Sequence, residues 1–339
     1  MKWTVSAFDW NASGTKREIR AATSRKMALR LNAPSTFEFS IPGDHEQALF
    51  IKELATDVVV RGGTEDMLRA RCGPSADSVG ETNYTVSFKF ADYRSVLRRR
   101  KLNAADRLQF SNVDQAEIAW RMIQDIQART NGNYGITQGV GSPTGVLRQW
   151  NPGQGAFVGK EIDSLSNLDN GFDWDISPAM ALNIYHPQRG ANNGVGLEYG
   201  KTIKSFDRNI TPNNFANDIV ATGSNSTVPV ETASATIATD PAGRWDGVYG
   251  FPDIVMQSTL ASRATWLVTR TGVLFQPVYV VQLSPGFWRG LGHIGLGDSL
   301  RVVVKRGRIN DNLVLRVLEI LVDIDDDGGE SVRLSLGWA

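Results

Sequence analysis

The sequence predicts an α+β protein that is mainly antiparallel β, with two β-barrel-like domains and a helix-containing middle region. Apolar and polar residues alternate strictly over many short stretches, turn residues punctuate those stretches, and only three segments carry helical spacing. Alternation with one apolar face marks a half-buried antiparallel strand.

Met27, Leu29 and Leu31 alternate with Ala28, Arg30 and Asn32. Phe37, Phe39 and Ile41 alternate with Thr36, Glu38 and Ser40, and the pattern returns over 84–90. One helical turn is expected near 44–54. The clearest helix spans 113–129, with Asn112 or Ser111 as its cap and Asp114 and Glu117 where the helix dipole favours negative charge. Its inward stripe is Ala119, Met122, Ile123 and Ile126, and Asn131-Gly132 ends it. A second helix covers 160–169, with Ile162, Leu165 and Leu168 inward and Gly171 as its stop. A third begins after Pro252, headed by Asp253, and runs to about Arg270. Val278–Leu283, 301–305 and 313–322 are more apolar and read as central strands. Val332, Leu334, Leu336 and Trp338 form the buried face of a last strand. Turns fall at Gly62-Gly63, Gly297-Asp298, Arg306-Gly307 and the acidic 325–329. Residues 222–250, rich in Ser, Thr, Ala and Gly, read as an exposed loop or irregular hairpin. The order gives an N-terminal β region at 1–95, an α/β middle region at 96–175 with a Gly-rich loop at 132–155, and a C-terminal β region at 176–339 with a helix inserted near 253–270.

Composition narrows the function. The 339 residues favour two or three domains. Thirty-six basic residues balance thirty-six acidic ones, which argues against a dedicated nucleic-acid binder. Apolar residues at 41% and charged residues at 21% exclude wholesale disorder. The single cysteine, Cys72, excludes an internal disulfide framework and a multi-cysteine metal site. The N-terminal MKWTVSAFDW lacks an apolar signal core, and no apolar run approaches the roughly 18 residues of a membrane span, so a soluble chain without stable membrane association is expected.

The search for chemistry yields mostly absences. His45, His186 and His293 are not at metal spacing with one another. His45-Glu46 opens like a zincin motif, but Leu49 stands where its second histidine belongs. No Gly-x-Ser-x-Gly elbow is present. Cys72, between Arg71 and Gly73, reads as a small core-facing residue at a strand end. The glycines at 290, 292 and 295 match the dinucleotide fingerprint as a string, but a turn and a strand follow where that site needs a helix. Asp323, Asp325 and Asp327 begin like a calcium loop, yet its twelfth position is Leu334, so these cation-site candidates also read as an acidic hairpin tip. Arg98-Arg99-Arg100-Lys101 is the one dense basic run. It faces nucleic acid or an acidic partner surface, or it is a solvated linker paired with Asp92 and Asp106. On a strand, Asp173 and Asp175 share a face, so 173–175 reads as an exposed acidic face over a buried Trp174. No catalytic residue, cofactor site or metal site is assigned, and the profile fits an assembly component.

Four stretches carry a family resemblance: 37–45 with 56–61, a strand, Pro-Gly turn and strand; 84–97, a strand running into Asp-Tyr-Arg-Ser-Val-Leu; 171–176 with 180–185; and 296–304 with 313–322 and 331–336. Their order and spacing resemble the minor tail proteins of long-tailed bacteriophages, in particular the baseplate-hub or tail-tip family with its N-terminal hub of tail-associated proteins. The resemblance implies a structural protein of the virion, made in the host cytoplasm and placed at the tail tip. It implies a homotrimer whose paired barrels form a pseudo-six-fold ring joining tail tube to tip. The lumen would be the path of genome ejection, with DNA in transient contact, and Arg98, Arg99, Arg100 and Lys101 would lie at a subunit boundary or near that lumen. Partners would be the distal tail protein, the tape-measure protein, and tail fibres or other minor tail proteins. Larger relatives add a fibre or a peptidoglycan-cutting domain. Here Ala339 follows the last barrel strand, so neither activity is expected of this subunit. The alternatives are a carbohydrate- or receptor-binding β module of the tail, for which scattered Trp residues and long loops speak, and a cell-wall hydrolase.

Overall fold

The structure, a computed structural model, describes residues 2–10, 16–102, 108–152, 155–168, 170–210, 215–223, 232–237, 243–251, 257–272, 277–290 and 294–338. The chain divides into two compact units, one of 1–206 with 280–337 and one of 207–279.

Along the chain come β1 (Trp3–Asp9), β2 (Arg17–Glu18), β3 (Thr23–Arg30), β4 (Thr36–Pro42), α1 (Glu46–Phe50), β5 (Thr56–Gly62), β6 (Glu65–Val79) and β7 (Tyr84–Asp92). Next are α2 (Tyr93–Leu97), β8 (Phe110–Asp114), α3 (Gln115–Gln127), β9 (Thr137–Gln138), β10 (Leu147–Trp150), α4 (Val158–Ser166), β11 (Asp173–Ile176) and β12 (Ala181–Tyr185). Then follow β13 (Asn192–Glu198), β14 (Ile203–Asn209), β15 (Asp218–Thr222), β16 (Thr232–Thr236), β17 (Asp246–Gly250) and α5 (Gln257–Thr271). The last elements are β18 (Val278–Leu283), α6 (Phe287–Gly290), β19 (Ser299–Arg306), β20 (Ile309–Ile324) and β21 (Glu330–Gly337). Mainly antiparallel β with a few helices is thus the architecture.

One sheet dominates the first unit. Its strands run β14-β18-β21-β20-β3-β4-β7-β6-β5-β1-β2, with β19 added to β20 and β13 to β19. Within the N-terminal half, β2 and β3 stand at opposite ends of the strand order, yet only residues 19–22 connect them. That short link forces the strands to curl, and the Ile19 amide donates to the Val5 carbonyl at 2.8 Å. The C-terminal half curls likewise, because β13 turns into β14 through a bridge between Tyr199 and Ile203. The two halves are one continuous sheet, with β3 pairing β20 from Arg30↔Glu319 to Arg25↔Ile324. The first half of β20 pairs β19, and the second half lies between β21 and β3.

Alternation sends Phe37, Phe39, Phe88 and Phe90 into one core, where the Phe39 and Phe90 rings stack at 5.3 Å. In the other half Val302, Val304, Val322, Leu334 and Leu336 are buried. Trp338 departs from the expected face: β21 ends at Gly337, the alternation stops there, and Trp338 is 42% exposed.

The middle stretch has its own apolar cluster, in which Ile118, Met122 and Ile126 of α3 meet Ile162 and Leu165 of α4 and Trp174 of β11. Asn112 and Ser111 lie in β8 rather than at the helix start. Asp114 caps α3, accepting from the Ala116 amide at 2.9 Å. The loop at 132–155 contains the short strands β9 and β10, and β10 pairs β8.

In the second unit β15 pairs β16 antiparallel and β17 parallel. Helix α5 packs there, with Leu260 and Ala264 beside Ala221 and Ala233, and Leu267 and Val268 beside Ile219. The 222–250 stretch therefore supplies two strands of a small sheet. Pro252 and Asp253 lie outside the described residues. The sheet joins residues near the two ends of the chain through β3 and β20, and 207–279 is compact by itself. No described helix is long and apolar enough to cross a membrane.

Candidate functional site

His45 and His186 serve local structure. His45 caps α1, its Nδ1 accepting from the Gln47 amide at 3.1 Å. His186 Nδ1 lies 2.9 Å from the Gly171 carbonyl oxygen. His293 lies outside the described residues, as do Leu291 and Gly292 of the glycine string. At the last glycine of that string the Gly295 amide donates to Asp298 at 2.8 Å, and the strand β19 follows. Cys72 is buried, and burial pushes its thiol up to about 12. Among the described residues no group of three or more His, Cys, Asp and Glu side chains is placed to hold a metal ion.

The acidic stretch is the hairpin tip between β20 and β21. Asp323 pairs with Arg333 at 3.1 Å. Asp325 turns its carboxylate onto the Gly329 amide, while its carbonyl accepts from Arg25. Asp326 and Asp327 are exposed at the tip.

The basic run follows α2 and is largely engaged within the chain. Arg98 reaches Asp163 of α4 with Nε at 2.9 Å and Nη2 at 2.8 Å. Arg100 donates to the Tyr134 hydroxyl at 3.3 Å and lies over that ring. The Lys101 ammonium sits 5.8 Å from the centre of the Phe157 ring. Arg99 is exposed. Asp92 is not a partner of the run: its carboxylate accepts from the Ser35 and Arg94 amides. Asp106 lies outside the described residues.

Two buried charge clusters were not read from the sequence. In the first, Asp57 on β5, wholly buried, accepts from Arg69 at 2.9 and 3.1 Å, from Arg71 at 2.9 Å and from the Tyr93 hydroxyl. The Arg71 guanidinium stacks over Trp10, Tyr93 and Tyr134 at 4.5, 5.1 and 5.1 Å. A carboxylate inside the run Thr56-Asp57-Val58-Val59-Val60 was the available signal, because a charge in a buried strand requires partners.

The second cluster corrects the reading of 173–175. Trp174 is buried as expected, but Asp173 is buried too. It accepts from Arg316, from the Arg189 amide at 2.6 Å and from Asn32. Asp175 accepts from Asn183 at 2.9 Å, Tyr185 at 3.3 Å and Arg189. The strand puts both carboxylates on one face, and that face is covered by β20 and the 186–191 segment rather than by water.

Beside this cluster lies a cavity of about 460 Å³, lined in part by Asp92, Arg94, Asp175, Tyr185, Arg189 and Trp288. Burial raises Asp92 to about 6, against the backbone amides that hold its charged form. Burial likewise lowers Arg94, whose guanidinium donates to the Ala33 carbonyl at 3.0 Å and lies 4.5 Å from the Trp174 ring. The other guanidinia of the wall are paired: Arg30 with Glu319, Arg69 with Asp57 and Arg189 with Asp175. Chemically, the arrangement matches charges drawn from distant parts of one chain and so fastens them together.

No family model and no curated protein sequence matches the chain. Solved structures do. A 43 kDa tail protein of prophage MuSo2 from Shewanella oneidensis superposes with a TM-score of 0.73 at 15% identity, covering 98% of each chain. The tail protein from Neisseria meningitidis MC58 gives 0.70 at 12% identity, covering 99% of this chain and 97% of that one. An Escherichia coli component of the type VI secretion system, similar in structure to the T4 bacteriophage tail proteins gp27 and gp5, gives 0.53 at 7% identity, covering 98% and 77%. The fold is that of phage and prophage tail proteins.

Proposed function

We propose that this chain is a non-enzymatic structural subunit of a phage-type tail. It acts as a baseplate-hub protein at the tail tip, forms a trimeric ring between tail tube and tip, and lines the DNA exit channel. The observation that carries this is the extent of the fold likeness, which spans 98% of both chains in the comparison with the prophage tail protein. The hub reading draws on the secretion-system component and its structural similarity to the T4 tail proteins gp27 and gp5. The paired, curled halves of the sheet suit it, because two barrel-like regions per subunit give a trimer six such regions around its axis. The end strand β2 is only two residues long, which limits the edge that invites aggregation.

In this reading the regions 1–95, 96–175 and 176–339 are the functional divisions. The distal tail protein, the tape-measure protein and tail fibres or other minor tail proteins are the neighbours. Arg99 and Lys101, the exposed members of the basic run, face a neighbouring subunit or the lumen. Near-zero net charge suits a channel that must pass DNA without holding it. Light scattering on the purified chain tests the reading: a mass of three times 37.2 kDa is expected. A monomer that binds cell-wall sugars on an array, or that clears peptidoglycan in a zymogram, would overturn it.

A further inference from the structure

Besides Arg99 and Lys101, the first unit exposes another group of neighbouring cations. At the hairpin between β19 and β20, Lys305, Arg306 and Arg308 are all exposed within four residues. Gly307 makes that turn tight, with a φ of 58°, so the three cations stand together at one hairpin end. Like charges this close repel unless an acidic surface lies against them. At the other end of the same strand, the hairpin between β20 and β21 leaves Asp326 and Asp327 in solvent. β20 has 16 residues, so the two tips stand up to about 50 Å apart, less whatever the irregularity between Val317 and Glu319 takes up. One strand thus carries a cationic tip at one end and an anionic tip at the other.

We infer that the 305–308 tip is a docking element for the 325–327 tip of a second copy of this chain, in a head-to-tail contact. Two different patches on each copy make the contact heterologous, and a heterologous contact repeated through a rotation that closes gives a ring. Charge complementarity selects this occupant, since the tips are opposite in sign and present in equal numbers in any assembly of the chain. The run at 98–101 is a poorer mate for the acidic tip, because Arg98 is already paired with Asp163 and Arg100 is held by Tyr134. The inference rests on the ring reading above and specifies the contact that holds it.

The test is charge reversal in the full chain. One variant carries Lys305→Glu, Arg306→Glu and Arg308→Glu, a second carries Asp326→Lys and Asp327→Lys, and a third carries all five. Every altered side chain is exposed, and the far-ultraviolet spectrum and melting curve verify that each variant folds. Oligomer mass is followed over a dilution series at about 0.05 M and about 0.5 M salt, where screening differs several-fold. Each single-tip variant is expected to raise the apparent dissociation constant about tenfold or more at low salt, and less at high salt. The five-fold variant is expected to return to within about threefold of the parent, because swapping both signs restores complementarity. A ring indifferent to both single-tip variants, or a five-fold variant weaker than either, overturns this contact and leaves the ring reading intact. A basic-tip variant that loses duplex DNA binding with unchanged oligomer mass also overturns it, assigning the tip to phosphate instead. A parent chain that is monomeric throughout overturns the ring reading itself.

Discussion

Replacing Asp57 with alanine removes the one carboxylate that four donor groups on two residues of β6 and one of α2 share. Asp57 is 0% exposed, and the side chains of Arg69 and Arg71 are 19% and 8% exposed. The substitution therefore strands two guanidinia in a site from which water is largely excluded. Breaking a buried pair by removing one partner costs about 3–5 kcal/mol, most of it the desolvation of the charge left behind. Against a domain stability of about 5–15 kcal/mol, that is a large share of the whole. For a folded body of this size each kcal/mol moves the melting midpoint by about 2–4 °C, so a fall of about 6–20 °C is expected. The assay is thermal unfolding followed by circular dichroism at fixed pH and protein concentration, since oligomerisation shifts the midpoint by mass action. A double-mutant cycle sharpens it. Asp57→Ala combined with Arg71→Met should cost less than the two changes summed, because methionine removes one orphaned charge and leaves an unbranched apolar side chain in its place. A midpoint within about 2 °C of the parent for Asp57→Ala would show that the cluster does not hold β5, β6 and α2 together as argued.

Three further outcomes follow from the same packing. Asp92 is raised from 3.8 to about 6, so the folded chain holds its proton more tightly than the unfolded chain does. This group therefore disfavours folding above about pH 6, and stability gains up to about 3 kcal/mol as pH falls from 6 towards 4; Asp92→Asn should flatten that difference, and an unchanged pH profile would refute the assignment. Leu334→Ala should cost about 2–5 kcal/mol because Leu334 is fully buried in β21, while Trp338→Ala should be nearly neutral; denaturant midpoints of the two variants compare them, and equal losses would contradict the strand end at Gly337. Cys72, buried with its thiol at about 12, should resist alkylation at pH 8 until the chain is unfolded, and rapid labelling of the native protein would refute its burial.

The local elements were legible because each leaves a short-range signature. Phe37, Phe39 and Ile41 declare a strand and a face by alternation, and the stripe from Ala119 to Ile126 declares a helix and its buried side. The join between β3 and β20 left no such mark. It pairs residues almost 300 positions apart, and alternation states that a strand has a buried face without naming its neighbour. The same distance hid the charge network. Asp173 looked like half of an exposed acidic face because its partner Arg316 lies 143 residues away. Trp338 followed the alternating pattern one residue past the point where β21 stops. The basic run at 98–101 stood out by density, but density does not report which cations have partners. The fold shows Arg98 and Arg100 engaged, whereas the sparser 305–308 hairpin projects its cations outward.

Class averages from electron micrographs of the purified chain test the central claim most directly, because they display symmetry rather than infer it. The account predicts ring-shaped particles with three-fold symmetry and a central hole. Compact monomers, or open filaments in place of closed rings, would contradict it.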